Sequence, residues 1–384
     1  MTRPLPPLRL SFPADWEDSL WAAVRSCLPS RVLEQRSLVA AIQRRTVLYT
    51  TARDRLGHEL PSAQRPADLA ARAVFYAVAD APKVSVPVTD LCSRGLLLAG
   101  GGRLRVLDLG AGTGAMTIGL AAALPDRVLD ATAVDRDGEA LDLFSTIASQ
   151  LPTGIRSLRV ERIDVPATMP AAVGGRFDVV LVGSLLNELA PPARLGLVAS
   201  LLQDYVSTDG ALILIEPALR ETARDLHDLR DALVTGEGAI AAVVGPCTHN
   251  APCPALHGER DWCHEDRPFA PPPRLGELAR ASGLRRHGAK FSYLALLPRG
   301  RPAPAPIAPA GQVALRVVSD CLDSKGVIER IVCGSGGWAR LRMLRRDRSS
   351  AAGRLVAKSQ RGDVLVAEDG ADPNSIIECR SPAI

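Results

Sequence analysis

Between positions 104 and 215 short apolar runs alternate with amphipathic stretches. Leu104-Arg-Val-Leu-Asp108, Ala131-Thr-Ala-Val134, Leu158-Arg-Val160, Asp178-Val-Val-Leu-Val182 and Ala211-Leu-Ile-Leu-Ile215 are brief and aliphatic, as buried strands are. Helical spacing of apolar residues over 115–124 and 139–151 predicts helices between the first strands. Strand and helix in alternation predict a parallel sheet with helices on both faces. Upstream, 16–24, 31–55 and 69–81 carry apolar residues at helical spacing among Arg and Glu, so residues 1–100 read as mostly helical. Downstream, a Cys-, His- and Pro-rich segment (245–273) precedes a helix over 275–282 and a strand over 291–297. Prolines at 298, 302, 304, 306 and 309 make a stiff linker. Strands over 312–318, 327–332 and 363–367 predict a small β-rich C-terminal unit.

Composition narrows the classes. The 384 residues are 47% hydrophobic and 23% charged, which excludes wholesale disorder and suits two or three packed domains. No uncharged apolar run reaches the ~18 residues of a membrane span, and the first ten residues lack the apolar stretch of a secretory signal. The 46 basic residues comprise 42 Arg and 4 Lys, and the net charge is only +4. That balance is weak evidence for a polyanionic partner. Eight unevenly spaced Cys do not form a disulfide framework, and clustered Cys in an intracellular protein points to metal or redox chemistry. Cys27 and Cys92, outside the cluster, read as small core or surface residues.

The sharpest local signal is Val106-Leu-Asp-Leu-Gly-Ala-Gly-Thr-Gly114. A strand ends, three alternate glycines follow (Gly110, Gly112, Gly114), and a helix begins. Glycine is required where the chain turns tightly and where a ligand lies against bare backbone. The next strand ends in Asp135, 21 residues after Gly114, and a carboxylate there can accept hydrogen bonds from both ribose hydroxyls of a nucleoside. The spacing is G-x-G-x-G, not the dinucleotide G-x-G-x-x-G. It resembles the first motif of Rossmann-like methyltransferases dependent on S-adenosylmethionine (SAM). That resemblance implies that Asp108 holds the amino end of SAM, the three glycines face it, Asp135 holds its ribose and Asp164 flanks its adenine. After the fourth strand, Asn187 and Glu188 are the polar groups expected to face the methyl group. The Asn/Asp-Pro-Pro-aromatic motif of base N-methylation is absent there. Methyl transfer can run on positioning alone.

Cys247, Cys253 and Cys263 fall within 17 residues, spaced C-x5-C-x9-C among prolines. Gathered thiolates suit a soft metal. A fourth ligand is needed for zinc or for a cubane iron–sulfur cluster, with Cys321, Cys333, His249 and His264 as candidates. Zinc knuckles are tighter, and Cys253-Pro254 fits a cluster better, with zinc as the alternative.

Taken in order, several motifs resemble the methyltransferase-like family of the mitochondrial small ribosomal subunit and its bacterial relatives. They are the glycine turn, Leu185-Leu-Asn-Glu-Leu189, Leu214-Ile-Glu-Pro217, the run from Pro246-Cys-Thr-His249 to Trp262-Cys-His264, Phe291-Ser-Tyr-Leu294, and Asp320-Cys321 followed by Gly326-Val-Ile-Glu-Arg330. The resemblance spans roughly residues 60–370. It implies a [4Fe–4S] cluster on Cys247, Cys253, Cys263 and Cys321, leaving Cys333 structural. It also implies SAM binding, methyltransferase activity or non-catalytic assembly of the small subunit, contact with that subunit's RNA, and no membrane association. A monomer in a bacterial cytoplasm is expected, with relatives that are mitochondrial. The runner-up reading is a small-molecule methyltransferase with a zinc-stapled insert. The basic stretch 340–361 fits an RNA contact through phosphates. Two departures from the family pattern stand out: Glu265 follows Trp-Cys-His where an aromatic is usual, and Arg361-Gly-Asp363 stands for Trp-Gly-Asp. The expected architecture is α/β: helical residues 1–100, a SAM-binding Rossmann-like core over 101–244, a cluster-binding insert and last core strand over 245–298, a linker over 299–311 and a β-rich unit over 312–384.

Overall fold

The computed structural model describes residues 9–52, 60–97, 102–152, 154–165, 173–285, 287–301, 304–368 and 372–381. The first residues, the end of the 31–55 stretch and Pro302 of the linker lie outside them. The N-terminal region holds β1 (Leu10–Ser11), α1 (Ala14–Cys27), α2 (Gln35–Thr50) and α3 (Arg65–Ala71). A π-helical turn (Arg72–Ala77) follows, then α4 (Val78–Asp80) and α5 (Ser85–Ser93). In α1, Trp16, Leu20, Trp21 and Val24 form the buried stripe, the three- and four-residue step of an amphipathic helix.

All five expected strands form. They are β2 (Arg103–Leu109), β3 (Val128–Asp135), β4 (Ile155–Arg162), β5 (Phe177–Gly183) and β6 (Val206–Pro217). Between them run α6 (Ala115–Ala123), α7 (Gly138–Gln150) and α8 (Pro191–Ser200). Then come α9 (Arg220–Val234), β7 (Ala241–Gly245), β8 (Glu265–Ala270), α10 (Pro273–Ala281) and β9 (Gly288–Pro298). The nine-stranded sheet runs β1-β8-β9-β6-β5-β2-β3-β4, with β7 also on β9. Strands β2 to β6 are parallel and β9 is antiparallel to β6. One face packs on the N-terminal helices, α6 and α7, the other on α8 and α9. This is the Rossmann-like methyltransferase arrangement, with the ligand crevice expected where strand order reverses beside β2.

The outer edge of β9 is shared. β7 pairs with its C-terminal half and β8 with its N-terminal half. The Cys-rich connection, 246–264, leaves the sheet between these two half-partners.

The C-terminal unit is a six-stranded antiparallel sheet. It contains β10 (Val313–Val317), β11 (Leu322–Ser324), β12 (Val327–Gly334), β13 (Gly337–Leu344), β14 (Val364–Ala367) and β15 (Ile376–Arg380). With α11 (Ala351–Lys358) it buries its own core of Val317, Val332, Leu341, Val356 and Leu365. Arg316 of β10 fastens it to the rest. Arg316 Nη2 donates to Glu265 of β8 at 2.8 Å and lies 3.0 Å from the Tyr293 hydroxyl of β9, while Nη1 reaches Asp90 of α5 at 3.3 Å. Tyr293 in turn donates to Asp90. All four residues are buried. Burial raises the Glu265 pKa, but Arg267, Arg316 and Arg361 outweigh it and hold the carboxyl at about 2. The two departures from the family pattern meet here. Arg361 donates to the carbonyls of His264 and Val318, at 3.1 and 2.6 Å, and Gly362 lies against Arg267, the partner of Glu265.

Candidate cofactor and metal sites

The crevice at the C-terminal ends of β2, β3 and β5 is a cavity of about 1180 Å³, larger than the roughly 300–1,000 Å³ of common small-ligand sites. Its walls include Gly110, Gly112, Asp135, Asp164, Asn187 and Glu188. Gly110 and Gly112 have φ of +73° and +52°, which glycine alone adopts freely. A Cβ on Gly110 would meet Leu185 at 3.1 Å and one on Gly112 would meet the Arg72 guanidinium at 3.1 Å, so a side chain at either position would crowd the cavity wall. Asp135 Oδ2 accepts the Gly112 N–H at 2.7 Å and Oδ1 accepts the Asp137 N–H at 2.9 Å. The ribose-type acid is thereby oriented by the turn it serves.

Two expected contacts lie elsewhere. Asp108 is fully buried under the turn and does not line the cavity. Its Oδ2 accepts the Thr117 N–H at 3.0 Å and the Thr117 hydroxyl at 2.6 Å, pinning the turn to α6. Burial, only partly offset by those bonds, pushes its pKa up to about 6, and its Oδ1 is buried without a partner. Gly114, at φ +87°, starts α6 with its Cα against the Phe144 ring of α7, where a Cβ would come within 2.1 Å. It serves helix packing.

At the other rim, the two motifs around Asn187 and Glu216 meet. Glu216, buried on β6, accepts the Leu186 N–H at 3.0 Å and the Asn187 amide at 2.6 Å. Glu188 pairs with Arg136 at 3.4 Å, and burial pushes its pKa up against that arginine's pull. Glu216 was hidden in sequence because its motif sits 29 residues from the asparagine it fixes.

The cysteines converge on a second, narrow and mostly apolar cavity. Cys247, Cys253, Cys263 and Cys333 line it with His227, His249, His264 and Trp338. The expected fourth ligand, Cys321, does not. It lies exposed between β10 and β11. Cys333 is on β12, whose alternation puts Ile328, Arg330 and Val332 into the C-terminal unit and turns Cys333 to the opposite face. Burial first, then the neighbouring thiols, pushes Cys253 to about 11 and Cys333 to about 12. His249 Nε2 lies 3.6 Å from Cys333 Sγ, and Nδ1 of both His249 and His264 is buried without a partner. Among the described residues, no three His, Cys, Asp or Glu side chains are close enough to hold one metal ion.

One face of α9 holds the cysteine loop by its backbone. Arg230 donates to the carbonyls of His249 and Ala251, at 2.6 and 2.7 Å. Asp231 accepts the Cys253 N–H at 2.8 Å, and His227 Nε2 accepts the Cys263 N–H at 3.0 Å. Burial depresses His227 to about 4, so its ring is the neutral acceptor this bond needs. Arg224, which donates to the carbonyls of Ala255 and Gly258 at 3.1 and 2.6 Å, recurs with His227, Arg230 and Asp231 at helical spacing, a signal visible in sequence but meaningless without the loop opposite.

No curated protein matches the sequence. Solved structures resemble the fold. Magnesium protoporphyrin IX methyltransferase from Synechocystis PCC 6803 with bound SAM is 14% identical over 67% of this chain and 95% of that one, with a TM-score of 0.33. An O-methyltransferase family protein from Burkholderia thailandensis is 16% identical over 67% and 71%, with a TM-score of 0.34. The fibrillarin/Nop5p complex is 13% identical over 56% and 83%, with a TM-score of 0.29. At these values the likeness adds nothing to the strand order itself. No helix among the described residues is long and apolar enough to cross a membrane. The sequence pattern of the family described as "Mitochondrial small ribosomal subunit Rsm22" matches residues 103–365, and the chain belongs to that family.

Proposed function

We propose that the chain binds SAM in the large cavity and delivers its methyl group to RNA or protein of the small ribosomal subunit. The observation that carries this is the convergence of Gly110, Gly112, Asp135 and Asp164 on one crevice at the switch point of the sheet. Gly110 and Gly112 offer backbone to the cofactor, Asp135 accepts its ribose hydroxyls and Asp164 flanks its base. Asp108 acts one layer below, holding the turn in shape. SAM supplies an electrophilic methyl group, and the chain's part is to orient the acceptor and exclude water. Asn187, fixed by Glu216, and Glu188 border the acceptor side. Membership of a family described by the small ribosomal subunit supports the ribosomal partner; we propose that a monomer meets it in the bacterial cytoplasm.

The test is calorimetry with SAM together with transfer of labelled methyl to small subunits. Wild type should bind and transfer, and Asp135→Ala should lose both. Unchanged binding in that variant would remove the reading.

One observation favours a second reading, a non-catalytic assembly factor. Asn187 is a non-basic amide that donates to Glu216, and the carboxylate of Glu188 is paired with Arg136, so the acceptor side does not present a free general base among the residues expected there. Normal small-subunit assembly in cells carrying Asp135→Ala would favour it.

We further propose a [4Fe–4S] cluster on Cys247, Cys253, Cys263 and Cys333. The chemistry of the donors fits: four thiols around one apolar cavity, their loop preset by α9. A cubane spreads its thiolates wider than one tetrahedral ion does. A zinc ion on the same thiols is the alternative, and an iron, sulfide and zinc assay of the purified chain separates the two. Such a cluster ties the insert to the C-terminal sheet, so their docking depends on the metal.

A further inference from the structure

The large cavity also holds arginines that the SAM reading leaves without a task. Arg72 opens the π-helical turn, a geometry rare in proteins and frequent at functional sites. Its Nη1 pairs with Asp137, the N-cap of α7. Its Nη2 lies 3.1 Å from where a Cβ on Gly112 would stand, and Asp135 Oδ2 lies 3.9 Å from the same point. A guanidinium is thus held directly above the glycine turn, next to the ribose-type acid. A side chain on Gly112 would close that space.

The other arginines of the cavity are engaged away from the turn. Arg45 gives Nε and Nη2 to the two oxygens of Asp68. Arg136 reaches Glu188, and Arg162 bonds the Arg136 carbonyl and lies against Gly138. Arg65 donates to the Leu60 carbonyl. SAM carries one anionic group, the carboxylate of its methionyl end. A ligand that gives its ribose to Asp135 needs a cation for that carboxylate beside the same turn, and a planar fork suits a carboxylate best.

We propose that Arg72 is the carboxylate anchor of the cofactor site, a specificity-determining residue supplied by the N-terminal helices. The proposal rests on the SAM reading. It also gives those helices a function: the Rossmann-like core supplies the nucleoside half of the site, and the helical region supplies the amino-acid half.

The test is calorimetry on the full chain with SAM and with decarboxylated SAM, which lacks only the carboxylate. Wild type should bind SAM about 10- to 100-fold more tightly than the decarboxylated analogue. Arg72→Met should bind both equally, at the weaker affinity. Arg72→Lys keeps the charge beside Asp137 without the fork, guards against misfolding of the first variant, and should show an intermediate preference. A wild-type preference retained in both variants, or no preference in wild type, would overturn the anchor alone. A wild type that binds neither ligand would overturn the SAM reading and the anchor with it.

Discussion

The two cavities are built by opposite means. The large one is centred on backbone: its floor is a glycine turn, and Asp135 is fixed by N–H groups two residues away and across that turn. The narrow one is made of side chains drawn from α9, the 246–264 connection, β9 and β12. The first needs the sheet and the N-terminal helices packed on it, and takes nothing from the C-terminal unit. The second exists only when three separate parts of the chain are docked, so occupancy and docking should be coupled there and independent in the first.

The largest expected effect tests which thiols belong to the second cavity. After anaerobic purification, wild type and Cys321→Ser should hold about four irons and four sulfides per chain. Cys333→Ser should hold almost none. The reverse result would mean that the C-terminal sheet docks with its other edge to the insert. The cluster-free Cys333→Ser chain should also show early cleavage by protease between the core and residue 313, while its affinity for SAM stays that of wild type.

Arg316 carries the same docking without metal. Its replacement by Leu leaves Asp90 and Glu265 buried with one cation fewer, and breaking a buried pair in this way costs about 3–5 kcal/mol. Urea denaturation should show it as an earlier transition of the C-terminal unit. A single unshifted transition would mean that the network contributes nothing to docking.

Next in size is Gly114→Ala. Its Cβ would strike Phe144, and φ of +87° disfavours any side chain. Together these cost about 2–4 kcal/mol. Because Gly114 faces helix packing and not the cavity, the melting temperature should fall while SAM affinity changes less than twofold. A large loss of affinity would place Gly114 back in the cofactor surface.

The same contrast explains what the sequence made legible. The five parallel strands appear where they were expected; the inner ones, β5 and β6 above all, are buried on both faces and read as plain apolar runs, while β4 at the sheet edge shows only a short alternation. The glycine turn and Asp135 were legible because both lie within one βαβ unit, β2-α6-β3. β8 was not. It contains Glu265, Arg267 and Pro268, and these buried charges are matched by each other and by Arg316 of β10. β13 shows a clean two-residue alternation, Arg340-Leu-Arg-Met343, yet its arginines read as a basic stretch until the pairing with β12 supplied a buried face. The residues alone leave Cys321, Cys333, His249 and His264 open as fourth ligand and the resemblance implies Cys321; spacing along the chain does not tell which face of β12 turns to the insert, and the structure lines the cavity with Cys333.

The smallest expected effect sets one carboxyl of each site against the other. Glu265 is held at about 2, below its ordinary 4.5, so its contribution is present above pH 4.5 and lost as pH falls towards 2. Asp108 is raised to about 6 from 3.8, so its contribution is present below pH 3.8 and lost as pH rises through 6. Stability measured by denaturant titration should therefore climb from pH 2 to about 4, then sag towards pH 6 by on the order of 1–3 kcal/mol. Asp108→Asn keeps an oxygen for Thr117 and carries no charge, so it should shrink the sag, to which the raised carboxyls of Glu188 and Asp363 also contribute, and leave the acid limb. Glu265→Gln should flatten the acid limb and leave the sag. If one substitution moved both limbs, the two sites would be coupled through the sheet, and a cofactor cavity standing independent of the docked C-terminal unit would have to be given up.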